Sequence, residues 1–129
     1  MKTDSIIWEE IRIYEQQKLE EVLSIIHIHH RNIPNMDALE SLVDINGTEC
    51  SRLFRKYLKI TPMEYIRRYR IETACQLLAS TDMSVTEISV QCGMNASYLS
   101  KKVREITGVT PLAYRRHYIR ERNKNNFQE

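Results

Sequence analysis

Apolar residues recur along this chain at intervals of three and four, the spacing that lines one face of an α-helix. Leu19, Val22, Leu23 and Ile26 set the pattern early, and Tyr65, Ile66, Tyr69, Ile71, Ala74, Leu77 and Leu78 carry it through the middle. Leu53 and Phe54, and later Leu99 and Val103, mark the buried sides of two shorter helices. No stretch alternates with period two for long enough to make a strand, and only three glycines and three prolines break the chain. The predicted fold class is therefore all-α. Residues 5–30 read as one or two helices, ended by Asn32-Ile33-Pro34-Asn35 because the residue before proline disfavours the helical region. Further helices are predicted over about 36–43, 47–58 and 62–80. Another, opened by Asp82 and Ser84, runs to about 92; one spans 96–107, and the last starts at Pro111 and fades into a polar, frayed tail over 120–129.

The pattern is duplicated. At an offset of 49 residues, Asn46, Ser51, Arg55, Thr61, Pro62, Tyr65, Arg67 and Tyr69 recur as Asn95, Ser100, Arg104, Thr110, Pro111, Tyr114, Arg116 and Tyr118. Leu39 pairs with Ile88, Phe54 with Val103, Ile60 with Val109 and Met63 with Leu112, so the apolar positions agree as well. A repeat of this length is one supersecondary unit used twice. Each copy reads as a short helix, a tight polar turn, a second helix with a basic end, and Thr-Pro opening a third. Asn46 suits the N-cap of the 47–58 helix, and Pro62 sits in a first turn where a missing N–H costs nothing. Helix, turn, helix, with small polar and basic residues on the second helix, is the form of a helix-turn-helix unit, whose second helix enters the DNA major groove.

Charge sharpens this picture. The 129 residues carry a net +2, but unevenly. Through Cys50 there are four Lys/Arg against ten Asp/Glu, a balance of −6; from Ser51 onward there are fifteen against seven, a balance of +8. The basic part holds both second helices, where contact with a polyanion would be wanted. Repeat alignment matches Thr48, Ser51 and Arg52 with Ser97, Ser100 and Lys101, in each case one helix face at i, i+3 and i+4. Arg52 and Lys101 suit donation to guanine O6 and N7, and Glu49 suits acceptance from cytosine N4. Near phosphates Glu49 could equally act as a repulsive filter. Tyr98 joins the base-reading set at the start of its helix. Arg55, Lys56, Lys102 and Arg104, a turn further on, suit phosphate contacts, which position rather than specify.

From Met36 to Arg115 the chain resembles the DNA-binding domain of the AraC/XylS family of bacterial transcription regulators. Tyr65-Ile66, Arg70-Ile71, Ala74, Leu77-Leu78 and Thr81 match the family's central helix. Val85, Glu87-Ile88-Ser89, Gly93, Ser97-Tyr98, Gly108-Val109-Thr110-Pro111 and Tyr114-Arg115 match its second-unit signature. The resemblance covers about 80 of the 129 residues. It implies a homeodomain-like architecture of about seven helices plus an N-terminal extension helix, with a long central helix joining two helix-turn-helix subdomains. It also implies a monomer that occupies two major-groove segments about one DNA turn apart, ~34 Å, some bending of the DNA, and activation of transcription through RNA polymerase. Arg115 joins the phosphate-contacting set. In domain terms, 1–16 would be an extension or linker helix, 17–119 the DNA-binding domain (units at about 17–60 and 82–119 around the 62–80 helix) and 120–129 a tail. Two departures fall in the first unit: Glu40 replaces a small alanine, and Asp44 a turn glycine, whereas the second unit keeps Ser89 and Gly93. Met94 and Leu99 stand where phenylalanines are usual.

Other chemistries find little support. His27, His29 and His30 cluster at a helix end, but no neighbouring Cys or carboxylate completes a metal site. Cys50, Cys75 and Cys92 are odd in number and lack CxxC spacing, which reads as buried, inert thiols in a reducing cytoplasm. There is no phosphate-cradling glycine loop, nucleophile motif or signal peptide, so neither an enzyme, a cofactor nor a membrane partner is expected. The first 35 residues are too few for a sensor domain, which leaves an upstream sensor or dimerisation domain outside the chain, or regulation by abundance or a partner. The competing reading is a helical protein-interaction module with a degenerate first helix-turn-helix, motivated by Glu40, Asp44 and the acidic first fifty residues.

Overall fold

The computed structural model describes the backbone of residues 2–128 and the side chains of residues 5–119 and Glu121. Among these residues the chain forms seven α-helices, one 3-10 turn (His30–Asn32) and no strand. The helices are α1 (Lys2–His29), α2 (Met36–Glu40), α3 (Gly47–Leu58), α4 (Pro62–Ser80), α5 (Val85–Gln91), α6 (Ala96–Thr107) and α7 (Pro111–Gln128).

Two compact units divide the chain at Ile66 and Arg67, inside α4. The first buries Leu19, Val22 and Ile26 of α1 with Ile33, Leu39, Cys50, Leu53, Phe54 and Ile66. The second buries Ile71, Ala74 and Leu78 of α4 with Ile88, Cys92, Leu99 and Val103. Each unit thus encloses its own apolar cluster, built from the helical stripes of the sequence.

Helix starts are set by short side chains at matched places. Asn46 and Asn95 lie in extended backbone, and their Oδ1 atoms accept from Glu49 N (2.8 Å) and Tyr98 N (2.7 Å). Thr61 and Thr110 accept from Glu64 N and Ala113 N, both at 3.2 Å, ahead of Pro62 and Pro111. Each cap satisfies one of the N–H groups that a helix start leaves without a partner.

α1 runs unbroken across residues 16 and 17, so of the one or two helices expected over 5–30 there is one. Two expectations need correcting. α7 continues to Gln128, so the backbone of the polar stretch stays helical where fraying is predicted. α2 stops at Glu40 rather than near Val43, two residues short of its counterpart α5. The turn residue accounts for the last. Gly93 takes φ +76°, which lets Gly93 N and Met94 N bond back to Val90 O (3.1 Å) and Ser89 O (2.9 Å). Asp44 does not adopt positive φ, so the first turn opens earlier.

Candidate nucleic-acid interface

The two second helices of the motif are α3 and α6, each of twelve residues. Cys50, Leu53 and Phe54 hold the inner side of α3 in the first core, and Leu99 and Val103 hold that of α6 in the second. What remains outward is the predicted reading face. Thr48 and Arg52 are exposed with Ser51 partly so, and on α6 Ser97 and Lys101 are exposed with Ser100 partly so. Arg55, Lys56 and Arg104 are exposed too, one turn on.

The cations of the two helices are held differently. On α3, Arg52 meets Glu49 with Nε to Oε2 (3.0 Å) and Nη2 to Oε1 (2.6 Å). Its Nη2 also donates to Glu15 Oε2 on α1. Glu15 Oε1 accepts from Lys56 Nζ (2.7 Å) and Tyr57 OH (2.8 Å). Glu15 is only 4% exposed, and hydrogen bonds from Lys56 and Arg52 hold its carboxyl down at about 2, outweighing the opposing effect of burial. Glu49 is lowered as well, chiefly by its bond from Arg52.

On α6 the equivalent of Arg52 is Lys101, which has no ion pair or side-chain hydrogen bond among the described residues. Lys102 lies 3.3 Å from Glu105 and over the Tyr98 ring at 5.6 Å. Tyr98 itself is partly buried against the second core, so its ring serves packing as well as surface. Arg115 is turned inward. Its Nε donates to Leu78 O (2.9 Å) and its Nη2 to Met83 O, tying α7 to the end of α4 and to the connection that follows it. These bonds leave less of its guanidinium for phosphate than the family pattern implies.

Glu15 was beyond reach of sequence reasoning, because its three partners lie 37 to 42 residues away. Glu40 faces solvent, and its carboxylate stands beside the α3 N-terminus: a Cβ on Gly47 would lie 3.1 Å from its Oε2. Ser89, its counterpart, is buried and donates to Thr86 O at 2.7 Å. His27 is engaged with the first core's aromatic edge, its Nε2 lying 2.6 Å from Tyr65 OH.

Comparison with known proteins agrees with this geometry. A family model described as a helix-turn-helix domain matches residues 41–117. An uncharacterized HTH-type transcriptional regulator of Bacillus subtilis, YdeC, is 28% identical over 110 residues, covering 84% of this chain and 38% of that protein. The regulator GbdR of Pseudomonas aeruginosa is 33% identical over 97 residues, covering 74% and 26%. This chain therefore spans well under half the length of these curated relatives. Among solved structures, the DNA-binding domain of AdpA, a global transcriptional factor in complex with a target DNA, superposes with a TM-score of 0.73 at 26% identity over 82% of this chain and 96% of that one. An AraC-type transcriptional regulator from Chromobacterium violaceum gives 0.72 at 28% identity, over 80% and 93%. Fold and paired units define a helix-turn-helix domain with a homeodomain-like double-unit fold. Within that class, the chain belongs to the AraC/XylS family.

Proposed function

We propose that this protein binds DNA sequence-specifically as a monomer, placing α3 and α6 in adjacent major-groove segments, and that it activates transcription by recruiting RNA polymerase. One observation carries the reading of DNA. Twice in the chain, a capped helix keeps its apolar side in a core and presents Thr or Ser, Ser, and Arg or Lys at i, i+3 and i+4 to solvent. A recognition helix needs that division of labour. The target DNA in the AdpA structure supports double-stranded DNA as the ligand. The sign of regulation, and a sensor or dimerisation domain elsewhere in a longer protein, rest on the family resemblance. Arg52, Lys101, Thr48, Glu49, Ser51, Ser97, Tyr98 and Ser100 would read bases; Arg55, Lys56, Lys102 and Arg104 would contact phosphates, with Arg115 bracing α7.

The test is selection of bound duplexes from a random library, followed by titration of the winner at several salt concentrations. An asymmetric site with two half-motifs about ten base pairs apart is expected. Lys101→Ala should relax preference at one position, at a cost of about 1–3 kcal/mol on the selected site. Lys102→Ala should weaken all sequences alike and reduce the salt slope by about 1. Failure of the library to enrich any sequence would refute specific reading and turn attention to a protein partner.

A further inference from the structure

We propose that Glu15 is a specificity-determining residue, which withholds Arg52 and Lys56 from the DNA backbone unless base contacts repay their release. The inference rests on the DNA-binding reading above. Glu15 lies on α1, outside the helix-turn-helix, yet its three hydrogen bonds all come from α3: Arg52, Lys56 and Tyr57. Arg52 and Lys56 remain 48% and 50% exposed, so a phosphate could approach them from outside while the carboxylate holds them from within. A cation that stays on Glu15 is already neutralised and contributes little to counterion release on DNA. One that leaves takes a charged donor from a buried carboxylate, which is costly even with the other two donors in place. Arg52 and Lys56 therefore gain little from an arbitrary stretch of backbone. The second unit has no such device on Lys101, which is exposed and has no ion pair among the described residues. Lys56 has no cationic counterpart there either, since the repeat places Glu105 at that position. The two units would thus differ, with α6 adding attraction to any sequence beside its base contacts and α3 engaging mainly where base contacts repay the release.

The experiment compares the intact chain with Glu15→Gln on the selected duplex and on a scrambled duplex, each titrated against salt. Glutamine keeps the side-chain length and can still accept from Tyr57 and Lys56, but removes the charge. The expected result on scrambled DNA is a salt slope steeper by about 1 to 2, since each restored phosphate contact adds about 0.9. Affinity for scrambled DNA should rise by on the order of tenfold and affinity for the selected site by less, so that the specificity ratio falls. Two further variants guard the result. Glu15→Asp keeps the charge but shortens the reach, and should release at least one cation, steepening the slope by about 0.9. Glu20→Gln, an exposed carboxylate on the same helix, controls for net charge. An unchanged slope in both Glu15 variants, an equal effect from Glu20→Gln, or weaker binding to both duplexes would overturn the proposal. A wild-type protein that fails to enrich any duplex would instead overturn the DNA-binding reading itself.

Discussion

At the scale of single residues, matched positions in the two units carry different strain. α3 is capped by Lys59 with φ 63°, and α6 by Gly108 with φ 80°. Left-handed backbone costs a side-chain-bearing residue roughly 1–2 kcal/mol, and glycine next to nothing. Lys59 recovers part of this through Nζ donating to Lys56 O at 3.1 Å. Lys59→Gly should therefore stabilise the first unit by about 0.5–1 kcal/mol, after the extra entropy of an unfolded glycine is counted. Urea titration should show a higher midpoint with an unchanged m-value; a lower midpoint would mean the lysine bond outweighs the strain. Glu15 and Glu49 make a second residue-level prediction, about pH. Both carboxyls are lowered in the folded protein, Glu15 from an ordinary 4.5 to about 2. A lowered carboxyl stabilises the fold above its unfolded value and stops doing so as pH falls through its folded one. Protection of α3 amides, taken relative to the intrinsic exchange rate at each pH, should fall between about pH 4.5 and 2, and the Glu15→Gln variant should show a shallower response over that window.

At the scale of elements, the turns show why duplicated sequence does not give duplicated geometry. Gly93 is needed at φ +76°, so Gly93→Ala should cost about 1–2 kcal/mol of second-unit stability. Asp44 holds the same repeat position without positive φ, so Asp44→Gly should not help; it should cost up to about 1 kcal/mol through unfolded-state entropy. Thermal melts of the two variants check this, and a stabilising Asp44→Gly would contradict it. The helices themselves were legible because their determinants are local: Asn46, Thr61, Asn95 and Thr110 each cap a start from three residues away, as their sequence neighbours indicate. The outward faces of α3 and α6 were legible for the same reason, being the complement of Leu53, Phe54, Leu99 and Val103. Charge pairing was not. Nothing near Glu15 in sequence marks it for burial, and only tertiary folding brings α3 to it. Arg115 shows the same limit, since Leu78 O and Met83 O are backbone atoms that no side-chain pattern announces.

At the scale of the whole molecule, the decisive feature is that the two apolar clusters have no residue in common. Leu53 is 1% exposed in the first and Leu99 fully buried in the second, and each anchors the second helix of its unit. Truncating either to alanine removes buried methyl groups and leaves a cavity, at about 2–5 kcal/mol. Sites without shared partners add to within about 0.3–0.5 kcal/mol, so the double variant should cost the sum if unfolding stays cooperative. If each unit unfolds alone, the single variants should instead separate one melt into two steps. Either way the loss of protection should stay within the mutated unit: α3 amides exchange faster in Leu53→Ala and α6 amides in Leu99→Ala. Fast exchange in both helices from one substitution would show that the continuous α4 couples the units energetically. The DNA readout then follows from charge. Loosening α6 would remove the proposed phosphate contacts of Lys102 and Arg104 together with Lys101, so Leu99→Ala should lose affinity for both duplexes, and more for the selected one. Loosening α3, whose Arg52 and Lys56 are held by Glu15, should cost affinity mainly on the selected duplex.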